Sequence, residues 1–547
     1  MARLQQPCGI HPGRSRGRGS ASAATPAPRR TRRQDLRVPG GDGERGSAVS
    51  LFTPKLRRHW DRLEGPECRD LQITRLRHFL TRQVVPFSKY YGRLFRHAGV
   101  DPASIRRWED LERIPFSSKS DLLSIPGTAA KTRDFVLIPE EAVLRRRAST
   151  LLSVATRGMA RTQRRLRLEY RPILMTSTTG RSADPVPFLY TQHDLDNLAV
   201  TGTRLMQICR SDADFRHLNM FPFAPHLAFW QTHYAGLGFN AFCLSTGGGK
   251  VMGTDGNVKL LEKIQPDALI GMPTFIYHVL QQAVSQGLKS PHLKRVVLGG
   301  EKAPEGMRRK LRSLCEELGS PGALVMGTYG FTECKTAWPE CPPPDGAESS
   351  GYHLYPDLGL IEIVDPETGK QVGEGEPGEI VYTPLDSRGT VVLRYRTGDH
   401  ISGGLVHEPC PHCGRNLPRL VGRISRVTDV RSLNIDKIKG TLVNFNDLEN
   451  LLDDLDDLGA WQIEIRKRNN DPLECDELVV HAQAKDSSTN LESLTRSIQR
   501  RFVDATEISP NGVIYHNAEE MQDLQGVGRS LKEEKVADRR PKPASTH

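Results

Sequence analysis

The spacing of apolar positions changes character several times along the chain. The first patterned stretch, from 52 onward, has a helical period. Leu76, Phe79, Leu80 and Val84 fall near one face, and Pro86 interrupts the run. After a basic stretch at 144–169, short apolar runs alternate with longer amphipathic ones. The runs at 171–177, 267–273, 295–300 and 323–330 read as strands, and 257–264 and 305–319 as helices between them. That alternation predicts an α/β body. Between 360 and 400 the pattern becomes short strands (360–366, 378–384 and 390–399) set apart by Gly, Pro and Asp turns, which predicts a β-rich subdomain. Further on come a strand at 440–445, a helix from Asn446 as N-cap, strands at 461–468 and 477–485, a helix at 490–506 and a strand at 512–516. This βαββαβ order predicts a small ferredoxin-like domain. The expected division is a basic, disordered tail over 1–50, a large N-terminal domain over 51–428 whose β-rich part covers about 335–425, and a small C-terminal domain over 429–547. There is no internal repeat.

Composition narrows the function classes. The 547 residues are 37% hydrophobic and 26% charged, enough to bury a large core and too apolar for a wholly disordered chain. No apolar run approaches the ~20 residues that span a bilayer. The start lacks an apolar run of signal-peptide length, and ten cysteines do not make a disulfide scaffold of this size, so a cytoplasmic, reducing location is expected. The net charge of +11 is uneven: residues 1–33 hold eight Arg and no acid (+8), leaving +3 for the rest. The body therefore has no gross bias towards nucleic acid. The tail reads as a dispensable extension or a start placed upstream, with a transit peptide or nucleic-acid arm as the functional alternatives.

Four separated segments carry chemistry. Thr176, Ser177, Thr178, Thr179 and Gly180 follow a strand, where hydroxyls and backbone N–H groups can wrap a phosphate. Tyr329, Gly330, Phe331, Thr332 and Glu333 again end a strand, with a ring able to stack on a base and a carboxylate able to hold magnesium. Asp399, in the turn of Tyr395-Arg396-Thr397-Gly398-Asp399, can accept hydrogen bonds from ribose hydroxyls. Lys532 lies near the C-terminus.

In order and spacing these segments resemble the adenylate-forming superfamily of acyl-CoA ligases, synthetases and luciferases, and more closely its phenylacetate–CoA ligase-like branch. Flanking stretches at 85–122, 298–311 and 440–450 are similar to that branch too, so the resemblance covers roughly 55–540. It implies ATP-dependent activation of a carboxylic acid as an acyl-adenylate, then transfer to coenzyme A or, in some relatives, to an amine. It implies that Thr176 to Gly180 hold the ATP phosphates, that Gly300, Glu301 and Lys302 line the adenine and acyl pocket, and that Tyr329 and Gly330 border the adenine. Thr332 would touch the α-phosphate, Glu333 would bind magnesium, Asp399 would hold the ribose, and Lys532 would bridge carboxylate and α-phosphate. Arg426 and Asp429 would form the hinge about which the small domain turns. The chain departs from the family pattern at Ser177, where a Gly is usual, at Arg181, often a Lys, and in extra residues before Lys439.

Cys410-Pro411-His412-Cys413-Gly414 is a C-x2-C knuckle of the kind that holds tetrahedral zinc. By resemblance Cys341 and His353 complete a structural Cys3His site. Unliganded thiols, a redox pair, and Cys334, His407 or His412 as other ligands are the alternatives. Aromatic residues at 221–230 sit where the family builds its acyl pocket. Phe223, His226, Phe229 and Trp230, with Met272, Pro273, Thr274 and Phe275, would enclose an aryl or apolar acid, or else be plain core. His226 would orient the carboxylate or be a core histidine. Thr246-Gly247-Gly248-Gly249-Lys250-Val251 lacks the hydroxyl residue of a Walker A loop and reads as a loop. Two other classes stay open: a catalytically silent, zinc-stabilised binding protein, and a nucleic-acid binder using tail and knuckle. A homodimer is compatible with the reading.

Overall fold

A computed structural model describes residues 59–123, 131–178, 185–344, 348–426, 435–438, 441–468, 476–506, 509–528 and 533–540. The tail over 1–50, Thr179, Gly180, Arg181, Asp429 and Lys532 lie outside the described residues.

A two-stranded antiparallel ribbon, β1 (Leu174–Ser177) with β2 (Pro187–Tyr190), precedes the main sheet. That sheet has six strands: β3 (His217–Pro222), β4 (Cys243–Gly247), β5 (Ala268–Gly271), β6 (Arg295–Leu298), β7 (Leu324–Phe331) and β8 (Thr336–Pro339), in the order β4-β3-β5-β6-β7-β8. All neighbours are parallel except β7 and β8. Strands β5 and β6 are buried or nearly so along their length, as parallel strands covered on both faces must be.

The helices α1 (Gln192–Ile208) and α2 (Leu227–Phe239) lie together and pack towards β3 and β8. The helices α3 (Gly249–Ile264), α4 (Pro273–Ser285) and α5 (Glu305–Glu317) follow β4, β5 and β6. Helix α3 begins inside the glycine-rich run expected to be a loop. Gly247 and Gly248 turn the chain at positive φ, and Lys250 and Val251 already lie in the helix. Helix α1 starts on a capping box in which the Asp194 carboxylate accepts from the Thr191 N–H at 2.8 Å. The same buried carboxylate accepts from the Arg388 and Gly389 N–H groups and pairs with Lys335 at 3.4 Å, tying the helix to the β-rich region. Burial opposes its ionisation, but Lys335 holds it well below the usual carboxylate range.

The β-rich region holds a four-stranded antiparallel sheet of β10 (Gly359–Val364), β11 (Gly378–Pro384), β12 (Tyr395–Ile401) and β15 (Ile424–Arg426), in that order. Beside it β9 (Tyr352–His353), β13 (Leu405–Val406) and β14 (Arg419–Leu420) form a short sheet in the order β13-β14-β9. Buried bidentate pairs brace the packing: Arg204 on Asp357 at 2.6 and 2.8 Å, and Arg394 on Glu362 at 3.1 and 2.9 Å.

In the last part of the chain, β16 (Ile435–Ile438) and β17 (Thr441–Asn444) form a hairpin of their own. After α6 (Phe445–Asp453), a sheet forms in the order β20-β19-β18-β21 from β18 (Leu458–Lys467), β19 (Asp476–Ala484), β20 (Gly512–Tyr515) and β21 (Val536–Asp538). It is crossed by α7 (Leu491–Thr506) and followed on one side by α8 (Ala518–Gln525). The strand expected to open the βαββαβ order, 440–445, thus pairs outside this sheet, and β21 takes the fourth place. Among the described residues no helix is long and apolar enough to cross a membrane.

Candidate active site

The carboxyl ends of parallel strands point their last residues and loops into shared space, and here they gather the nucleotide candidates. Tyr329 sits near the end of β7, with its ring stacked at 28° on Trp338, centroids 5.9 Å apart. Its hydroxyl donates to Asp399 Oδ2 at 2.9 Å. Burial, then the Asp399 carboxylate, pushes that hydroxyl well above its ordinary pKa, so it stays a donor. The other Asp399 oxygen pairs with Arg426 Nη1 at 3.0 Å, because β12 and β15 place Asp399 directly opposite Arg426. Arg426, expected at the hinge, therefore touches the ribose candidate itself. Glu333 lies in the short 3-10 turn Thr332–Cys334 after β7 and accepts from the Tyr395 hydroxyl at 2.8 Å. Burial raises its carboxyl pKa, a penalty that a bound cation would remove.

The phosphate loop is described only at its root. Thr176 is buried against the Tyr190 hydroxyl at 3.3 Å, and Thr178 Oγ1 accepts from the Val186 N–H at 3.0 Å. The Ser177 N–H donates to Pro225, and the Ser177 carbonyl accepts from His226 Nδ1 at 3.1 Å. That bond orients the His226 ring at the start of α2.

An apolar cavity of about 170 Å³ opens between the main sheet and helices α1 and α2. Gly300, Gly330 and Thr332 stand at its mouth, and His226 and Phe229 line it. Phe223, Trp230, Pro273, Thr274 and Phe275 do not. Phe223 is 53% exposed and meets Phe229 edge-on at 5.0 Å, while Pro273, Thr274 and Phe275 are buried in the first turn of α4. Phe221 and Pro222, from the same aromatic run, and Met272, expected beside Pro273, do line the cavity.

Glu301 and Lys302 do not line the cavity and meet residues of the C-terminal part of the chain instead. Glu301 accepts from Thr274 Oγ1 at 3.1 Å and from the Glu533 N–H at 3.3 Å, and Lys302 lies 3.9 Å from Glu449. Glu533 is itself buried, and burial followed by the nearby Glu301 charge raises its carboxyl pKa well above normal. It is the residue after Lys532. Three positions further on, Lys535 is occupied elsewhere: its Nζ binds Asp453 at 3.1 Å and lies over Trp461, 4.6 Å from the ring centre.

A second cluster lies in the β-rich region. Cys341 follows β8, His353 ends β9, and Cys410 and Cys413 flank a tight turn closed by Gly414 N–H to Cys410 O at 2.8 Å, with Gly414 at positive φ. Potential ligand atoms of the four lie within 4.8 Å of one another. Cys341 Sγ and Cys410 Sγ are 3.6 Å apart, and Cys413 Sγ is 3.4 Å from His353 Nε2. Two sulfurs bound tetrahedrally at ~2.3 Å lie about 3.7 Å apart, so the donor set fits a zinc ion. Hydrogen bonding from the Cys341 thiol pulls Cys410 and Cys413 towards thiolate, the form that binds metal. Cys334 and His407 are engaged elsewhere, the first on the Phe331 and Thr336 carbonyls and the second on Glu374.

Comparison with known proteins points the same way. The AMP-binding enzyme family model matches residues 196–384. The phenylacetate–coenzyme A ligase of Thermus thermophilus is 27% identical over 395 residues, covering 70% of this chain and 76% of that protein. The ligase of the same name from Escherichia coli is 26% identical over 439 residues, covering 78% and 84%. Among solved structures, a 2-hydroxyisobutyryl-CoA ligase in its postadenylation state shares the fold, with a TM-score of 0.67, 20% identity and coverage of 90% of this chain and 95% of that one. The same ligase in its thioesterification state gives 0.56, at 19% identity, covering 90% and 94%. The strand-end site, the AMP-binding match over 196–384 and the similarity to phenylacetate–coenzyme A ligases over most of the chain together support a place in the adenylate-forming superfamily.

Proposed function

We propose that this protein joins a carboxylic acid to coenzyme A in two steps, by way of an acyl-adenylate. The observation that carries this reading is the Tyr329–Asp399–Arg426 group beside the mouth of an apolar cavity. It offers an aromatic face and a carboxylate for a nucleoside next to a slot for an acyl group.

A carboxylate is a poor electrophile because it is anionic. Attack of its oxygen on the α-phosphorus of ATP expels pyrophosphate and leaves a mixed anhydride whose AMP departs readily. Two anions must meet, so the barrier is electrostatic. Asp399 accepts from the ribose hydroxyls and Tyr329 covers the adenine. Thr332 and the hydroxyls of Thr176, Ser177, Thr178 and Thr179, with the backbone at Gly180, donate to phosphate oxygens. Lys532 places its ammonium between carboxylate and α-phosphate. A magnesium ion at Glu333 would neutralise phosphate charge, and the burial that raises Glu333's pKa favours such pairing. The thiol of coenzyme A then attacks the acyl carbon, AMP leaves, and the small domain turns about the 426–429 segment between the steps. Cys341, His353, Cys410 and Cys413 hold one zinc ion that is structural, since four protein ligands leave no open position for substrate.

The test is product analysis. Purified protein given ATP, magnesium, coenzyme A and a panel of aryl and aliphatic acids should release AMP and form a thioester. AMP release with an amine acceptor but not with coenzyme A would replace the thioester ligase by an amide-forming one.

A further inference from the structure

The register of the main sheet measures the depth of the apolar cavity. His217, Ala268 and Arg295 are paired neighbours on β3, β5 and β6, and so are Asn219, Ile270 and Val297 two residues further along. Side chains alternate with period two, so both rows face the same side, and the next row on that side is Phe221, Met272 and Gly299. The cavity touches residues of all three rows, with Leu205, Met206 and Cys209 at the end of α1 and Ala235 of α2 opposite. Floor and mouth are thus four strand residues apart, or ~13 Å at ~3.3 Å per residue. Gly300 and Thr332 mark the mouth and His217, Ala268 and Arg295 the floor.

Length and volume together define a shape. A compact apolar cavity of ~150 Å³ is what a benzene ring occupies. Here about 170 Å³ runs over the full depth of the sheet, which makes a slot one chain wide. Two small residues keep it open, Ala268 at the floor and Gly299 at the mouth, where a Cβ would meet Thr328 Oγ1 at 2.5 Å. The polar groups at the floor bond to protein. The Ser211 hydroxyl donates to His217 Nε2 at 2.6 Å, His217 Nδ1 donates to the Phe242 carbonyl at 3.0 Å, and Arg295 donates to the carbonyls of Cys209, Arg210 and Lys294. The far end is built for a tail without polar atoms.

We infer that the acid activated here is an unbranched aliphatic acid of medium length, its carboxylate at Gly300 and Thr332 and its methyl end at the His217–Ala268–Arg295 row. This rests on the ligase reading above. At about 1.3 Å of rise per carbon of an extended chain, the depth of ~13 Å sets an upper limit of about ten carbons.

Two measurements on the full chain test it: acid-dependent ATP–pyrophosphate exchange, and acid binding by calorimetry without nucleotide. Both use straight-chain acids from butanoate to tetradecanoate, phenylacetate, and the dicarboxylate decanedioate. Exchange efficiency should rise about threefold to fourfold per methylene up to roughly ten carbons and then fall. Ala268→Leu should move the optimum shorter by two or three carbons, and the milder Ala268→Val by one or two. A preference for phenylacetate or decanedioate over every straight-chain acid, or an optimum that neither variant moves, overturns the inference and leaves the ligase. Length-dependent binding that peaks near ten carbons, with no exchange for any acid, supports the slot and overturns the ligase.

Discussion

The Cys3His cluster and the proposed nucleotide site are built on opposite principles. The four cluster residues come from three separate stretches of one region, yet their donor atoms lie within 4.8 Å of one another, with Cys341 and Cys410 at 3.6 Å and Cys413 and His353 at 3.4 Å. The nucleotide site is divided. Tyr329, Glu333 and Asp399 come from the main sheet and the β-rich region, Lys532 as proposed would come from the C-terminal part of the sequence, and the Glu301–Glu533 and Lys302–Glu449 contacts link the two stretches. A site that must only hold its ion can be finished by the fold, whereas a site that serves two successive reactions must be able to come apart.

Breaking the cluster should therefore cost stability, and breaking the divided site should cost chemistry in a folded protein. The largest effect is expected for Cys410→Ser. Metal analysis should fall from about one zinc per chain to none, and denaturant unfolding should show a loss of more than about 4 kcal/mol. Zinc absent from the parent protein, purified without chelator, would remove one side of the comparison.

Next is Lys532→Ala. Loss of one charged transition-state donor should slow adenylation ~10²–10³-fold. Supplied with presynthesised acyl-adenylate and coenzyme A, the variant should form thioester near the parent rate. Equal loss of both half-reactions would mean that the small domain does not alternate. Lys535 is no neutral control for this residue, because it neutralises the buried Asp453 carboxylate.

A smaller effect is expected at the ribose. Asp399→Ala should weaken AMP and ATP alike, ~10–100-fold, through lost charge-assisted hydrogen bonds, as calorimetry would show. Tyr329→Phe, which keeps the ring and loses only the hydroxyl on Asp399, should weaken both by less.

The smallest effect concerns the seam between the domains. Lys310 on α5 donates to the Gly459 carbonyl at 3.1 Å. Burial lowers its ammonium to about 8, although Asp453 nearby works to raise it. An unfolded lysine keeps its proton to ~10.4, so between pH 8 and 10 the unfolded chain binds more protons and folding stability should rise with pH. Thermal melts of the parent relative to Lys310→Met should show that rise, and a parallel pH dependence in the two proteins would contradict it.

Much of this was legible in the sequence, and the rest depended on faces and docking. The runs at 267–273 and 295–300 announced β5 and β6 because parallel strands covered on both sides are continuously apolar. Tyr329 was legible as a strand-end residue, whereas Asp399, read as a turn residue, lies within β12, and its pairing with Arg426 needed the register of β12 with β15. The turn at Cys410 and Cys413 was legible from spacing, while Cys341 and His353 came from resemblance. The orientation of Glu301 and Lys302 was hidden, since it is decided by where the small domain sits. The cavity lining was misjudged at Phe223 because a run of aromatics does not say which ring faces inward. The pairing of β17 with β16 was hidden too, because a short apolar strand does not name its partner.

The most direct test of the account is acid-dependent ATP–pyrophosphate exchange with no coenzyme A present. The account predicts label exchange that needs both the acid and magnesium, persists in Cys410→Ser protein while it stays folded, and falls ~10²–10³-fold in Lys532→Ala. Exchange that ignores the acid, or thioester formation without any acid-dependent exchange, would contradict an acyl-adenylate intermediate.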